Sequence, residues 1–590
     1  MKYTVSFVLL LLLWGCKKNT DPANTNPPDP SPVTSIPPDQ PVETRVAASL
    51  TDEQGRVINA LHALHIADSN YTLNGSTLLT PTGTTDAYVN RTWIEVNSWN
   101  YFAVTKTTTA TPSLVNYIRY KALAPNAAAD FNNTAGSNVV LTDRLQVTFP
   151  PRSLYQVTTG PFPEAVKLSA YVYDMAQAGT AVKMPAYYAG DADGKRYFLK
   201  SYGAALIKAT TGFNTLYTVD LLPTIAAKLK MAIPPAMLAD APDSLMVWSF
   251  GKNRLWQPSG ASVKKKNNYY EGDLYALGYF MLAAPQKGAY VNLHLQSAGG
   301  SSVVNSTIRI KAGQQEVFEG QTDTEGRLLA FVPVAQPLTL EVIAGGLYGT
   351  VWTKTIGPVE RAADLQVVME APVKALLTVK GTATACTGQP IARGMVIATT
   401  VYGATTYLPV KDGHYRASLF ADDGNNIVRL RVLNAADGTE GSDTALIVSN
   451  DREYNANLTT CAPSKRLYAS YSVDGNSKAF ESEAYSAPGL SLVGFSVGPS
   501  TTISCASGEN NFQFSTNATT AGTFTGSGVS SLNVNGKFYS TDYNKPMKVV
   551  FTRYDLITGG YIEGSIDVYY LDNSGGSHHL VANFKVKRIG

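Results

Sequence analysis

Residues 307–346 read TIRIKAGQQEVFEGQTDTEGRLLAFVPVAQPLTLEVIAGG. Leu338–Ile343 (LTLEVI) alternates apolar and polar residues with the period of two that a half-buried strand requires. Thr322–Gly326 (TDTEG) interrupts the alternation with an acidic-glycine turn, where glycine accepts positive φ without a steric penalty. A strand, a turn of this kind and a further strand are the units of an antiparallel sandwich.

The same period recurs in Val166–Tyr173 (VKLSAYVY), Ala289–Gln296 (AYVNLHLQ), Ile427–Val432 (IVRLRV) and Gly560–Tyr569 (GYIEGSIDVY). With 48 Gly and 33 Tyr, and with many Thr and Val, the composition favours short strands joined by tight turns. Only Asp220–Pro234 (DLLPTIAAKLKMAIP) has the apolar spacing of one or two helical turns, with a second short piece near PPAMLADAP. The expected fold class is all-β, a tandem of Ig-like or transthyretin-like β-sandwich modules followed by a separate C-terminal β domain. Lys plus Arg number 48 against 45 Asp plus Glu, so the chain carries no electrostatic footprint for nucleic acid. The KKK run at Lys264–Lys266 reads as a solvated loop.

Three segments share the strand, turn, acidic-Gly, strand order: one from Val46, one from Thr307, and LLTVKGTATACTGQPIARGMVIATT with YLPVKDGHYRASL after it. Thr322–Val334 (TDTEGRLLAFVPV) resembles the carboxypeptidase regulatory-like, transthyretin-type sandwich, in which such a turn opens a core strand and a Pro follows. KDGHYRASL is a looser version. In the first segment VNSWNYFAVTK resembles the later strand of such modules, with Asn100 in place of a Gly. Between the first two modules, Met184-Pro185, Ser201-Tyr202-Gly203-Ala204, Trp248, Phe250, Trp256 and Gly260 resemble a region found beside carboxypeptidase-like repeats in surface proteins. The chain departs from that pattern at Ala186 and at GKNR (251–254), and the resemblance implies no catalytic residue. Trp248 and Trp256 admit two readings, a platform on which a sugar ring stacks or the filling of a sandwich core.

The N-terminus, MKYTVSFVLLLLLWGC, has a Lys, an apolar run and a small residue before Cys16, which is a signal-peptide layout. The apolar run is too short for a membrane span, which takes roughly 20 residues. LLWGC resembles the lipobox of bacterial lipoproteins and CKKN those of Bacteroidota envelopes, which implies lipid attachment at Cys16 and a protein held at the outer membrane, displayed at the cell surface. Residues 17–42 are dominated by Pro, Asn, Asp, Ser and Thr and cannot bury a core. Extended at about 3.1 Å per residue, they reach roughly 80 Å from the lipid.

The expected organisation is therefore a lipoprotein signal peptide (1–15), the lipidated Cys with a Pro-rich linker (16–42), a regulatory-like sandwich (43–118), and a β-rich domain with the WxF…W hairpin (119–286). A carboxypeptidase regulatory-like sandwich (287–371), a third sandwich (372–463) and a C-terminal β domain (464–590) follow. The last of these resembles small lipocalin-like or sandwich domains of Bacteroidota lipoproteins through its closing hairpin. With Cys16 lipidated, Cys386 and Cys461 bracket the third module, where a disulfide can staple it. A Cys461–Cys505 pairing stays open.

The six His and four Cys lack metal-ligand spacing, and neither HEXXH nor GxSxG occurs. His62 and His65 belong to a strand and turn, and His578-His579 to an exposed hairpin turn. DADG (191–194) and ADDGNN (421–426) lack the oxygen set of a calcium loop. The expectation is a protein with no cofactor that is not an enzyme: a lipid-anchored envelope protein whose modules serve adhesion, assembly or ligand binding, with an extracellular glycan or protein as partner. A carbohydrate-binding accessory role using exposed aromatic residues is the alternative. A hydrolase would need a clustered pair of carboxylates.

Overall fold

Gly326 ends the TDTEG turn at φ +76°, and a Cβ there would lie 2.7 Å from the Leu295 carbonyl oxygen, so only glycine fits. Asp323 closes the turn by accepting from the N–H groups of Glu325 and Arg327 at 2.8 Å each. The chain then enters the strand Arg327–Pro333, which pairs with Gly288–Ser297; that strand takes Ala363–Met369 on its other edge. A four-stranded sheet of Gln315–Gln321, Thr307–Ala312, Leu338–Ala344 and Gly349–Ile356 packs against it. Val291, Leu293 and Leu295 meet Ile308, Ile310, Leu340 and Val342 in the same buried core, the interior of a sandwich over 287–371. The computed structural model describes residues 43–589 apart from 52–60, 85–90, 157–162, 371–375, 421–426, 448–452 and stretches of four residues or fewer; for 61–109 it describes the backbone alone. Cys16 and the rest of residues 1–42 lie outside the described residues, as do the DEQG and ADDGNN turns.

The chain is all-β, and the structure holds several sheets rather than one. Thirteen strands between Ala127 and Gln286 form a single sheet whose central strand is Lys195–Thr211. Every residue from Ser201 to Ile207 is buried, because this strand is covered on both faces. Tyr202, Ala205, Ile207 and Ala209 face one core, while Leu199, Ala204 and Leu206 face another that continues through the 287–371 sandwich.

The helical reading of Asp220–Pro234 is corrected. Ala227–Ala232 is a strand pairing with Leu145–Phe149 and Tyr269–Leu274. Ala227, Leu229 and Met231 are buried while Lys228 and Lys230 are exposed, so the period is two, and Pro223 and Pro234 bracket a run too short for a helix. Among the described residues helix is confined to Thr180–Lys183 and the 3₁₀ turn Pro235–Met237.

The third module closes on itself in the order 393–400, 405–411, 414–420, 376–385, 458–463, 439–441, 427–434 and back to 393–400. The turn Asp412-Gly413 has both residues at positive φ, the hairpin geometry that Asp-Gly favours. In the C-terminal domain the order 561–571, 537–541, 529–534, 510–516, 500–507, 490–497 and 577–588 closes through pairing of Ser577–Arg588 with Tyr561–Leu571. Leu467–Val473 and Asn476–Ser482 extend this barrel as a hairpin.

The described residues of 43–118 do not form one self-contained sandwich. Glu43–Thr51 pairs in parallel with Val115–Lys121, and Ser69–Asn74 adds to the C-terminal sheet at Asn70↔Lys478 and Tyr71↔Ala479. Leu61–Ile66, Arg91–Ser98 and Tyr101–Thr109 continue that sheet outward.

A buried polar knot fixes the first of these pairings to the TDTEG turn. Asn116 donates to Thr44 Oγ1 at 2.8 Å and to the Thr111 carbonyl at 2.7 Å, and accepts from Thr111 N–H at 2.9 Å. The Thr111 hydroxyl donates to Asp323 Oδ2, Ser113 Oγ meets Thr324 Oγ1 at 2.7 Å, and Arg327 donates to the Pro112 carbonyl. Thr44, Thr111, Ser113, Asn116, Asp323 and Thr324 are all buried. Burial pushes the Asp323 carboxyl above its usual range, opposed first by the Arg327 charge and then by the Thr111 hydroxyl.

Asp323→Ala takes the side-chain acceptor from the Glu325 and Arg327 N–H groups and removes one of the two acceptors of the Thr111 hydroxyl, and we expect a loss of about 3 kcal/mol, read as a lowered thermal unfolding midpoint. An unchanged midpoint would show that the knot is not a structural tie. Cys386 and Cys461 are bonded, with Cα atoms 4.7 Å apart and a sequence separation of 75. In the chain-entropy model that loop contributes roughly 4 kcal/mol, so Cys386→Ser paired with Cys461→Ser should unfold at markedly lower urea than the parent; equal midpoints would contradict it.

Candidate functional site

Trp248 and Trp256 are fully buried, which overturns the sugar-platform reading. Trp248 Nε1 donates to the Ala283 carbonyl at 3.2 Å and Trp256 Nε1 to the Tyr187 carbonyl at 3.0 Å, so both indoles are spent on the core. Cys386 and Cys461 link the neighbouring strands 376–385 and 458–463 of the third module, and Cys505 is buried and unpaired inside the barrel. Lys264–Lys266 ends a strand rather than lying in a loop, with Lys265 donating to the carbonyls of Leu238 and Ala241. The DADG turn is a hairpin with Asp193 and Gly194 at positive φ. Among the described residues no three His, Cys, Asp or Glu side chains are grouped as a metal site.

The residues that do converge lie at one end of the C-terminal barrel. Three hairpin turns meet there, at 473–476 (VDGN), 534–537 (VNGK) and 571–577 (LDNSGGS). Asp474-Gly475 and Asn535-Gly536 have positive φ at both central positions, the type I′ signature written by Asp-Gly and Asn-Gly. In the third, Asp572 Oδ1 accepts from the Ser574 N–H and hydroxyl and from the Gly576 N–H at 2.7–2.8 Å. Between these turns opens a cleft of about 610 Å³ lined by Tyr471, Tyr539, Tyr570, Asp474, Asp572 and His578, with Asn476, Lys478, Asn535, Lys537 and Ser574 at its sides.

His578 is the second residue of the strand Ser577–Arg588 and is not in the turn itself. Its Nδ1 lies 2.6 Å from Asp474 Oδ2 and its Nε2 3.2 Å from Asp572 Oδ2, so one imidazole ties two hairpins together. His579 N–H donates to Asp474 Oδ1 at 2.8 Å. Tyr570 stacks on His578 at 5.3 Å and packs against Tyr539 at 4.7 Å with the two rings tilted by 40°. The Tyr471 hydroxyl donates to Asn535 Oδ1 at 2.8 Å, which also accepts from Lys478 at 3.4 Å.

Hydrogen bonds to Asp474, then to Asp572, hold the His578 pKa above its usual value. The Ser574 hydroxyl, His578 and the Gly576 N–H hold Asp572 well below the carboxylate range; the His579 N–H and the His578 ring lower Asp474. Burial lifts the Tyr570 phenol to about 12, so it stays a hydroxyl. The two carboxylates flank one ring. A hydrolase using a carboxylate pair needs one of the pair to hold a proton near neutrality, and here both are held ionised. Neither carboxyl is raised toward neutrality.

The aromatic residues of this cleft were not singled out in the sequence, although its His pair was. No protein-family model matches the chain, and no curated protein matches it. Among solved structures, a point mutant of the shaft pilin SpaA of Lactobacillus rhamnosus GG aligns at 12% identity, covering 30% of this chain and 99% of that one, with a TM-score of 0.15. A streptococcal ancillary pilin aligns at 12% identity over 38% of this chain and 96% of that one, TM-score 0.14. A DUF3823 family protein of Bacteroides ovatus aligns at 12% identity over 36% and 98%, TM-score 0.12.

Because the His578 pKa is raised by folding, its contribution is present below about pH 6.5 and is lost as pH rises through the folded value. Asp474 and Asp572 are lowered, so theirs is present above about pH 4 and lost as pH falls through the folded values. The bridge is thus strongest between roughly pH 4 and 6.5. An NMR titration of the His578 ring should show a midpoint above about 6.5 that falls in Asp474→Asn; a midpoint at or below about 6.5 in the parent would refute the bridge.

Proposed function

We propose that this chain is a non-catalytic, lipid-anchored protein of the cell envelope that holds out joined β modules and captures a ligand in the C-terminal cleft. The observation that carries the reading is the cleft itself: aromatic and polar side chains converge on about 610 Å³, a size typical of sites for small ligands. Tight turns pre-set its walls, which lowers the ordering cost of binding. Lipid attachment at Cys16 and the Pro-rich stretch after it supply the tether, with several acyl chains needed for a stable anchor.

Cys16→Ala should move the protein from the membrane fraction to the soluble fraction, and the parent on intact cells should be cleaved by added protease. Continued membrane association of the variant would remove the anchor from this account. Protection of the parent from protease would place the modules on the inner side of the outer membrane.

A further inference from the structure

We infer that the C-terminal cleft takes a neutral polyhydroxylated ligand, a short run of saccharide rings, and this rests on the reading that the cleft is the capture site. Charge decides against the alternatives first. The ionisable groups facing the cleft are Asp474, Asp572, Lys478, Lys537, His578 and the phenols of Tyr471, Tyr539 and Tyr570. Two carboxylates, two ammonium groups and the His578 imidazole that spans both carboxylates share the opening. Both signs of charge are therefore present side by side, and a polyanion or a polycation meets repulsion as well as attraction there.

Hydrogen-bonding capacity decides in favour. A sugar hydroxyl both donates and accepts, and it needs partners of both kinds close together. Asn476 offers both, the Asn535 amide N–H2 and Lys537 donate, and the Ser574 oxygen and Asp474 accept, all around one opening. A purely apolar ligand would strand these groups without partners.

Aromatic geometry supplies the rest. Tyr471 and Tyr570 are buried and form the back wall, while Tyr539 is only half-buried. Tyr570 backs the Tyr539 ring at a centroid distance of 4.7 Å, which holds it in place for the C–H face of a sugar ring. The next residue, Phe538, is 73% exposed and lies outside the cleft lining.

The test uses the full-length protein in detergent micelles on an array of neutral, uronic-acid and sulfated oligosaccharides. Binding to neutral members is expected, weakened at least about tenfold by Tyr539→Ala and unchanged by Phe538→Ala, which serves as the folding control on the same strand. Binding of charged oligosaccharides alone, lost in Tyr539→Ala, would overturn the ligand class while leaving the cleft as the capture site. Binding that Tyr539→Ala leaves intact would overturn the cleft as the capture site as well. Absence of binding to every array member would overturn the saccharide class.

Discussion

Asp323 is a carboxylate taken out of water, and a large part of the architecture follows from what is needed to keep it satisfied. A buried carboxyl without partners costs several kcal/mol, so the fold must bring donors to it. Two come from its own turn, through the Glu325 and Arg327 N–H groups. The Thr111 hydroxyl comes from 212 residues earlier in the chain. That demand holds the 111–116 segment against the TDTEG turn, and Asn116 then recruits Thr44. The order of the first strand, the strand Val115–Lys121 and the 287–371 sandwich is in this sense written around one acid.

A second tie runs between the 119–286 domain and the same sandwich. Glu316 Oε2 accepts from the Gly179 N–H at 2.6 Å at the start of the helical turn Thr180–Lys183, and Arg309 pairs with Glu316 and Glu319 at 2.9 and 2.8 Å. Tyr187 packs on Phe318 at 4.5 Å between ring centroids. With Ala204 and Leu206 facing the same core as Leu293 and Leu340, these two modules share an interior rather than touching at a rim. Beads on a flexible string would each need a solvated surface here; a shared core makes relative motion of the two costly, because it would expose apolar surface on both.

Strand periodicity and turn chemistry carried the sequence reading where each module folds locally. The alternation in LTLEVI and IVRLRV became the strands Leu338–Ala344 and Ile427–Asn434, and the acidic-Gly turns became positive-φ turns at Gly326 and Asp412-Gly413. The reading failed where tertiary packing outweighed local pattern. In AAKLKMA, two lysines spaced two apart suit either a helix flank or one face of a strand, and the pairing partners on both sides selected the strand. Trp248 and Trp256 are bulky aromatics in a hairpin whether or not it is covered; what covers them is the rest of the sheet and the neighbouring module, which no local window contains. The pairing of Ser69–Asn74 with a strand near the far end of the chain, at Lys478 and Ala479, has no local signal at all.

The C-terminal site shows how a location can be legible while its chemistry is not. Asp-Gly and Asn-Gly announce tight hairpins, and SGGSHH announces a turn followed by histidines. Barrel closure brings them to one end, since Ser577–Arg588 pairs with both Tyr561–Leu571 and Leu467–Val473. Once there, the Asp of one turn and the Asp of another find the same imidazole, and this meeting defines the electrostatics. A carboxylate beside an apolar wall would have its pKa raised and could serve as an acid; one that accepts backbone N–H groups and an imidazole N–H is held ionised. Asp474 and Asp572 both belong to the second kind. The hydrogen bonds that tie the turns together are thus the ones that lower both carboxyls, and the same contacts raise the His578 imidazole, so one set of bonds fixes both the geometry and the charges of this end of the barrel.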